Sequence, residues 1–272
     1  MRLSGPIATI ATAQLFGTSL WFSANSAADD LANSWQVSAT DIGWLTSAVQ
    51  GGFILGTLAL SLGGIADRFR ASSIFVFSAL AGAFFNGCFA WLSDGLASAL
   101  VFRFLVGVAL AGIYPLGMKL IVSWEPERTG SALAYLVAML TLGTALPHAL
   151  REVGSGLSWQ LIISASSILA LLAALLVYRL GDGPHLPGRA APGAGSRFFL
   201  RRPAVLEAFR IPEFRAAAWG YFGHMWELYA FWTIVPLLIA NTALVTQFPQ
   251  LGVSGLSFIV IAIGALGCVL GG

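Results

Sequence analysis

Apolar residues run along this chain in blocks of about twenty, separated by short polar turns. A helix needs about 20 mostly apolar residues to cross the hydrocarbon core of a bilayer. Eight segments meet that requirement: 6–28, 42–63, 72–93, 96–121, 130–150, 157–180, 214–240 and 252–272. Most of the turns are so short that neighbouring helices must run antiparallel. The pattern predicts an all-α membrane protein of about eight transmembrane helices. Residues 181–212 break the rhythm. They open with Gly181-Asp182-Gly183-Pro184, stay rich in Pro, Gly and Ala from Pro187 to Gly195, and then gather arginines. Such sequence cannot continue a helix. It predicts a basic cytoplasmic linker beside anionic lipid, dividing the chain into a six-helix half (1–180), the linker (181–212) and two further helices (213–272).

Composition agrees. Hydrophobic residues make up 57% of the chain and charged residues only 10%, with a mean hydropathy of +0.82. A soluble domain carries about 25% charged residues, so lipid must replace much of the water around this one. The first apolar run starts after Arg2 and ends near Ser26-Ala27-Ala28, like a signal peptide. It is longer than a signal-peptide core and more spans follow, so it reads as the first transmembrane helix. Cys88 and Cys268 both sit in apolar blocks. With no Cys/His cluster, neither a disulfide framework nor a metal is expected. No phosphate-cradling loop is present, and neither a cofactor nor nucleic acid is expected as a partner.

The distribution of basic residues sets the orientation. With the N-terminus inside, the cytoplasmic side holds every one of the 14 Lys and Arg residues except Arg103 and Arg151. That asymmetry predicts an N-in topology in the cytoplasmic (inner) membrane. Trp35, Trp44, Trp91 and Trp159 then mark the outer interface, and Trp124 and Trp219 the inner one.

A weak repeat relates the two parts. A shift of about 206 to 208 positions lays Phe16-Gly17 on Phe222-Gly223, Gly56 on Gly264, and Gly63-Gly64 on Gly271-Gly272. Span seven thus resembles span one, and span eight resembles span two. Small residues in spans two and eight (Gly52, Gly56, Gly264, Gly267, Gly271) permit close helix packing in lipid.

Three local motifs carry a family resemblance. Gly63-Gly64-Ile65-Ala66-Asp67-Arg68 resembles the loop between helices two and three of the major facilitator superfamily. Arg103-x-x-x-Gly107, followed by Ala111-Gly112, resembles the Arg-containing motif of helix four. Pro126-Glu127-Arg128-Thr129-Gly130 is similar to the loop between helices four and five. Helix five has only Gly143-Thr144-Ala145-Leu146-Pro147 where the antiporters carry a Gly-Pro motif. The resemblance implies a complete six-helix half plus the first two helices of a second half, lacking the last four. The missing helices, or a second chain, would then be needed for a complete pathway. It also implies alternating access around a midplane site, with helices one, four and seven lining the cavity. Gly63, Asp67, Arg68, Gly107 and Arg128 fall on structural and gating positions, and Asp67 could latch the cytoplasmic side.

Charges inside a span are costly and need a partner, a wet cavity or a change of protonation. Arg103 and Glu227 stand out. Glu227 lies near the middle of span seven, with His224 three residues earlier on the same face. Together they suit a proton carrier. Arg103 shares a face with Gly107 and Tyr114. It is open to four roles: contacting an anionic solute, pairing with Glu227, snorkelling to the outer interface, or bonding backbone carbonyls. Gln14, Thr18, Trp21 and Asn25 form a polar stripe in span one, spaced 4, 3 and 4. The expected substrate contacts are Arg103, Tyr114, Asn25, Gln14 and Thr18. His148 reads as an interface histidine after a Pro147 kink, and Asp29 and Asp30 as solvated loop charges.

The expected function is secondary active transport of a small polar or anionic solute, coupled to protons. Two alternatives stay open. One is a non-transporting scaffold or receptor of the same fold. The other is an intramembrane serine protease at Gly252-Val253-Ser254-Gly255, which lacks the later histidine that such an enzyme needs.

Overall fold

The computed structural model describes residues 5–186 and 207–271. The described residues are helices joined by turns. They comprise α1 (Gly5–Thr18), α2 (Ala28–Trp35), α3 (Ala39–Leu62), α4 (Ile65–Arg68), α5 (Ala71–Leu92), α6 (Leu96–Leu110) and α7 (Tyr114–Trp124). There follow α8 (Thr129–Val153), α9 (Trp159–Leu180), α10 (Pro212–Ala240), α11 (Leu244–Gln247) and α12 (Gly252–Gly271). Short 3-10 turns occupy Asn25–Ala27 and Pro126–Arg128. Most of the expected linker, including Arg189, Arg197, Arg201 and Arg202, lies outside the described residues.

Six stretches are long and apolar enough to cross a membrane: Thr40–Leu62, Ala71–Leu92, Leu96–Trp124, Pro126–Val153, Trp159–Leu180 and Gly252–Gly271. They match expected spans two to six and eight. Span seven is one helix of 29 residues, α10, with His224 and Glu227 near its middle. Span one differs from expectation. Regular helix stops at Thr18, the chain winds through tight turns from Ser19 to Ala24, and α2 begins only at Ala28. Span four also breaks, between Leu110 and Tyr114. Pro115 at the start of α7 has no N–H to return to the preceding turn, which explains that break.

The outward surface is apolar, as lipid demands. Phe77, Phe84 and Leu270 are 74%, 66% and 87% exposed, whereas the polar side chains of Gln14, Asn86 and Arg103 are fully buried. Spans two and four meet backbone to backbone. A Cβ at Gly107 would lie 2.0 Å from the Val49 carbonyl oxygen, and one at Gly52 would lie 2.0 Å from that of Phe104. In span eight the glycines act differently. Gly264 would make one ordinary contact, with Thr141, and Gly267 and Gly271 face open space. That span packs along span five, and at its start the Glu152 carboxylate accepts the Gly255 amide at 3.1 Å, an amide that also donates to the Leu251 carbonyl at 2.9 Å.

Between spans two and three, Gly63 ends α3 and Gly64 turns the chain with φ +58, a left-handed conformation that glycine adopts without strain. Asp67 is exposed and pairs with Lys119 at 3.2 Å, while Lys119 Nζ also donates to the Ala66 carbonyl at 2.5 Å. Arg68 and Arg128 are exposed. The first residues after span six fold back onto the bundle. Asp182 accepts the Ser72 amide at the start of α5 (2.7 Å), and the Gly183 and His185 amides donate to Ser123.

Candidate functional site

The unwound stretch of span one is the centre of the molecule. A tight turn leaves carbonyls without the amide partners that a regular helix would supply. Arg103, from span four, takes them. Its Nη2 donates to the Trp21 carbonyl at 2.5 Å and its Nη1 to the Leu20 carbonyl at 3.1 Å. Nη1 also reaches Ser23 Oγ (3.0 Å) and Asn86 Oδ1 (3.1 Å), and the guanidinium lies 5.5 Å from the centre of the Phe89 ring. Asn86 continues the network into span six through the Ile163 carbonyl (3.1 Å) and Ser167 Oγ (3.0 Å). The Nη atoms of Arg103 are thus met by carbonyl, hydroxyl and amide oxygens, while its buried Nε has no partner. Of the roles open to it in sequence, backbone bonding is the one its geometry fits. It is not paired with Glu227.

Asn86 and Ser23 were not singled out from sequence, yet they complete this network. The available signal was an asparagine in the middle of an otherwise apolar block.

Holding the backbone in this way turns Trp21 toward spans two and seven. Its ring stacks on Tyr229 (centroids 5.2 Å, planes 23° apart) and packs on Phe53 (4.8 Å). Phe22 and Trp232 complete the group. Trp232 stands edge-on to Phe22 at 5.9 Å and to Tyr229 at 5.5 Å. Five aromatic side chains thus meet where span seven crosses spans one and two.

The other expected contacts surround this cluster on different sides. Gln14 is fully buried against Gly117 of α7, and neither end of its amide has a partner. Thr18 donates to the Gln14 carbonyl at 2.7 Å and packs where Gly143 of span five leaves room. Asn25 donates to Thr46 Oγ1 at 2.9 Å. Tyr114 is half-buried at the start of α7 and packs against the core. The stripe foreseen on one face is therefore split. Gln14 and Thr18 face spans four and five, whereas Trp21 and Asn25 face span two, because the helix between them is unwound.

Span two answers with a stripe of its own: Thr46, Gln50, Phe53 and Thr57, again spaced 4, 3 and 4. Gln50 Nε2 and Thr57 Oγ1 are buried without partners. The same spacing rule that exposed the stripe in span one would have found this one.

Glu227 and His224 share a face, as their spacing predicts, and both are exposed. They lie in the first part of α10, which is mostly exposed, whereas the buried residues Trp232, Val235 and Ile239 come later in the helix. The structure brings neither to the aromatic cluster nor to Arg103. His148 is buried and its Nε2 has no partner, in contrast to an interface histidine. Asp30 pairs with Arg151 at 2.7 Å, which ties α2 to the C-terminal end of α8. Ser254 opens α12 and bonds to no histidine among the described residues.

Curated relatives cover parts of this arrangement. The niacin transporter NiaP of Acinetobacter baylyi is 25% identical over 170 residues, 58% of this chain and 36% of that protein. The 4-hydroxybenzoate transporter PcaK of the same organism is 36% identical over 104 residues, 38% of this chain and 22% of that protein. This chain thus matches about a third or less of the length of each. Among solved structures, the proton:xylose symporter XylE bound to 6-bromo-6-deoxy-D-glucose superposes with a TM-score of 0.63 at 17% identity, covering 97% of this chain and 68% of that one. An inward-facing bacterial homologue of the human lysosomal transporter Spinster gives 0.59 at 18% identity, covering 97% and 60%. The family model of the Major Facilitator Superfamily matches residues 10–272, and with its helices packed as in those structures this multi-pass membrane chain belongs to that superfamily.

Proposed function

We propose that this protein is a secondary active transporter of the cytoplasmic membrane, N-terminus inside. By alternating access it moves a small, planar, polar or anionic solute. One observation carries this reading: Trp21 and Tyr229 stack across the meeting of spans one and seven, where the two parts of the chain would move against each other. Aromatic faces bind flat rings by offset stacking. Niacin and 4-hydroxybenzoate, named for two relatives, are flat aromatic acids. Residues 1–180 form the first half of the transporter, 181–212 the linker and 213–272 the opening of the second half. Gln14, Thr18, Asn25 and Tyr114 serve the solute from around the cluster, and Arg103 serves it indirectly by holding Trp21. Gly63, Asp67, Arg68, Gly107 and Arg128 serve gating and helix packing. Proton coupling rests on Glu227 with His224, an acid–histidine pair one turn apart near the middle of α10.

Counterflow of labelled nicotinate in proteoliposomes tests the reading. Wild type and Trp21→Phe exchange label, and Trp21→Ala does not. Equal exchange by all three would remove the aromatic cluster from the pathway. Glu227→Gln should keep exchange and lose accumulation driven by a pH gradient. Unchanged accumulation would show that Glu227 is not the carrier.

A further inference from the structure

Three buried polar atoms between spans one and two have no hydrogen-bond partner: Trp21 Nε1, Asn25 Oδ1 and Gln50 Nε2. Two contacts place them together. Asn25 donates to Thr46, and Trp21 packs on Phe53. Gln50 lies one turn from Thr46 and one turn from Phe53 on the same face of α3. It therefore sits between Asn25 and Trp21. Buried polar groups in folded proteins are almost always paired, so three unpaired atoms in one seam, beside an aromatic stack, mark a place for a ligand.

Their chemistry is specific. Trp21 Nε1 and Gln50 Nε2 can only donate, and Asn25 Oδ1 can only accept. Arg103, the buried cation that holds the Trp21 carbonyl, already spends both Nη atoms on the carbonyls of Leu20 and Trp21, on Ser23 and on Asn86, and only its Nε is left without a partner. A carboxylate would satisfy the two donors but turn an acceptor toward Asn25 Oδ1 and bring an unpaired charge into the seam. A primary carboxamide satisfies all three. Its oxygen accepts from both donors and its N–H₂ donates to Asn25.

We propose that Trp21, Asn25 and Gln50 form a subsite for the uncharged carboxamide of an aromatic or heteroaromatic ligand, with the ring lying on the Trp21–Tyr229 stack. This deepens, and rests on, the reading of the aromatic cluster as the solute site. Within that reading it makes the neutral amide the preferred ligand and the anion a weaker one.

Binding of benzamide and of benzoate to the purified full chain in detergent, by equilibrium dialysis, tests the proposal. Benzamide should bind at least about tenfold more tightly than benzoate, since a polar site rejects a ligand that leaves its buried groups unpaired. Gln50→Leu should erase most of that preference with no loss of thermal stability, and Asn25→Asp should keep the benzamide contact. Equal affinities, or tighter benzoate, overturn the carboxamide subsite and leave the aromatic reading in place. No binding of either compound overturns both. A Gln50→Leu protein that loses thermal stability, with the benzamide preference unchanged, assigns Gln50 a purely structural role and also overturns the subsite.

Discussion

The guanidinium of Arg103 holds the carbonyl of Trp21 at 2.5 Å, from a position 82 residues further along the chain. That bond and its companion to Leu20 occupy carbonyls that the break after Thr18 leaves open. The ring of Trp21 owes its place against Tyr229 to a backbone that could not hold this shape alone.

Replacing the arginine should therefore cost stability and loosen the aromatic stack. Arg103→Gln removes the partner of the buried Trp21 carbonyl, at about 1–3 kcal/mol for a group left unpaired, while the Leu20 carbonyl keeps its bond from Ser23 Oγ at 3.1 Å. Arg103→Lys brings only one nitrogen to a site where two nitrogens of a planar fork now donate, and should recover part of the loss. Unfolding by SDS titration in mixed micelles reads both. Wild-type stability in Arg103→Gln would mean that the turn after Thr18 stands by itself.

The close approach of spans two and four predicts a sharp contrast among glycines. Gly107→Ala places a methyl 2.0 Å from the Val49 carbonyl oxygen, and rigid backbone cannot yield as a side chain tip would. Gly267→Ala meets nothing within 4 Å. The first should lower the melting temperature or abolish folding, as overpacking of about 1–3 kcal/mol or more does. The second should change little. Melting in detergent, followed by circular dichroism, distinguishes them. A Gly107→Ala protein as stable as Gly267→Ala would show that the two spans separate freely.

At the turn between spans three and four, Asp94 accepts a hydrogen bond from Ser98 Oγ at 2.6 Å. This bond, with a smaller contribution from the Asp94 backbone amide, holds the carboxyl below its ordinary value of about 3.9. A depressed value means that the ionised form is favoured in the folded state. Its contribution is present above the ordinary value and is lost as pH falls through the lowered one. Ser98→Ala should move the Asp94 titration upward, toward the ordinary value. Carboxyl carbon NMR on selectively labelled protein measures it. An unmoved titration would remove Ser98 as the cause.

Much of the fold is legible because lipid imposes a simple rule. Length and hydropathy alone locate six of the spans, and the Gly63–Arg68 loop identifies the family. What stays hidden depends on partners distant in sequence. Nothing local to Ser19–Ala24 announces that the helix ends there, since the carbonyls it frees are taken by Arg103. The spacing of Glu227 and His224 puts them one turn apart on α10, but spacing cannot say which part of that helix is covered. Tyr229, Trp232 and Val235, further along, are the residues that pack on span one and its neighbours. The stripe at Thr46, Gln50, Phe53 and Thr57 was within reach of the same periodicity argument. Its meaning emerges only once Asn25 and Trp21 are seen against it.

Asp182 provides the final prediction. It follows span six by two residues and accepts the Ser72 amide at 2.7 Å, near the start of α5. No residue of span three caps that end with its own side chain, so this carboxylate stands in for an N-cap and faces the positive end of the helix. Asp182 also lies 3.9 Å from Arg70 Nε, but the arginine side chain is 66% exposed against 14% for the aspartate. The two interactions should separate cleanly. Arg70→Ala removes an exposed ion pair and should cost no more than about 0.5 kcal/mol. Asp182→Ala removes a cap and should cost about 1–2 kcal/mol. Asp182→Asn keeps an acceptor oxygen without the charge and should fall between them. The first-formed opening should also move. Hydrogen exchange at the amides near Ser72 should speed up in Asp182→Ala, whereas exchange at the outer end of span three stays as in wild type. Equal effects from Arg70→Ala and Asp182→Ala would place the stabilisation in the ion pair rather than in the cap.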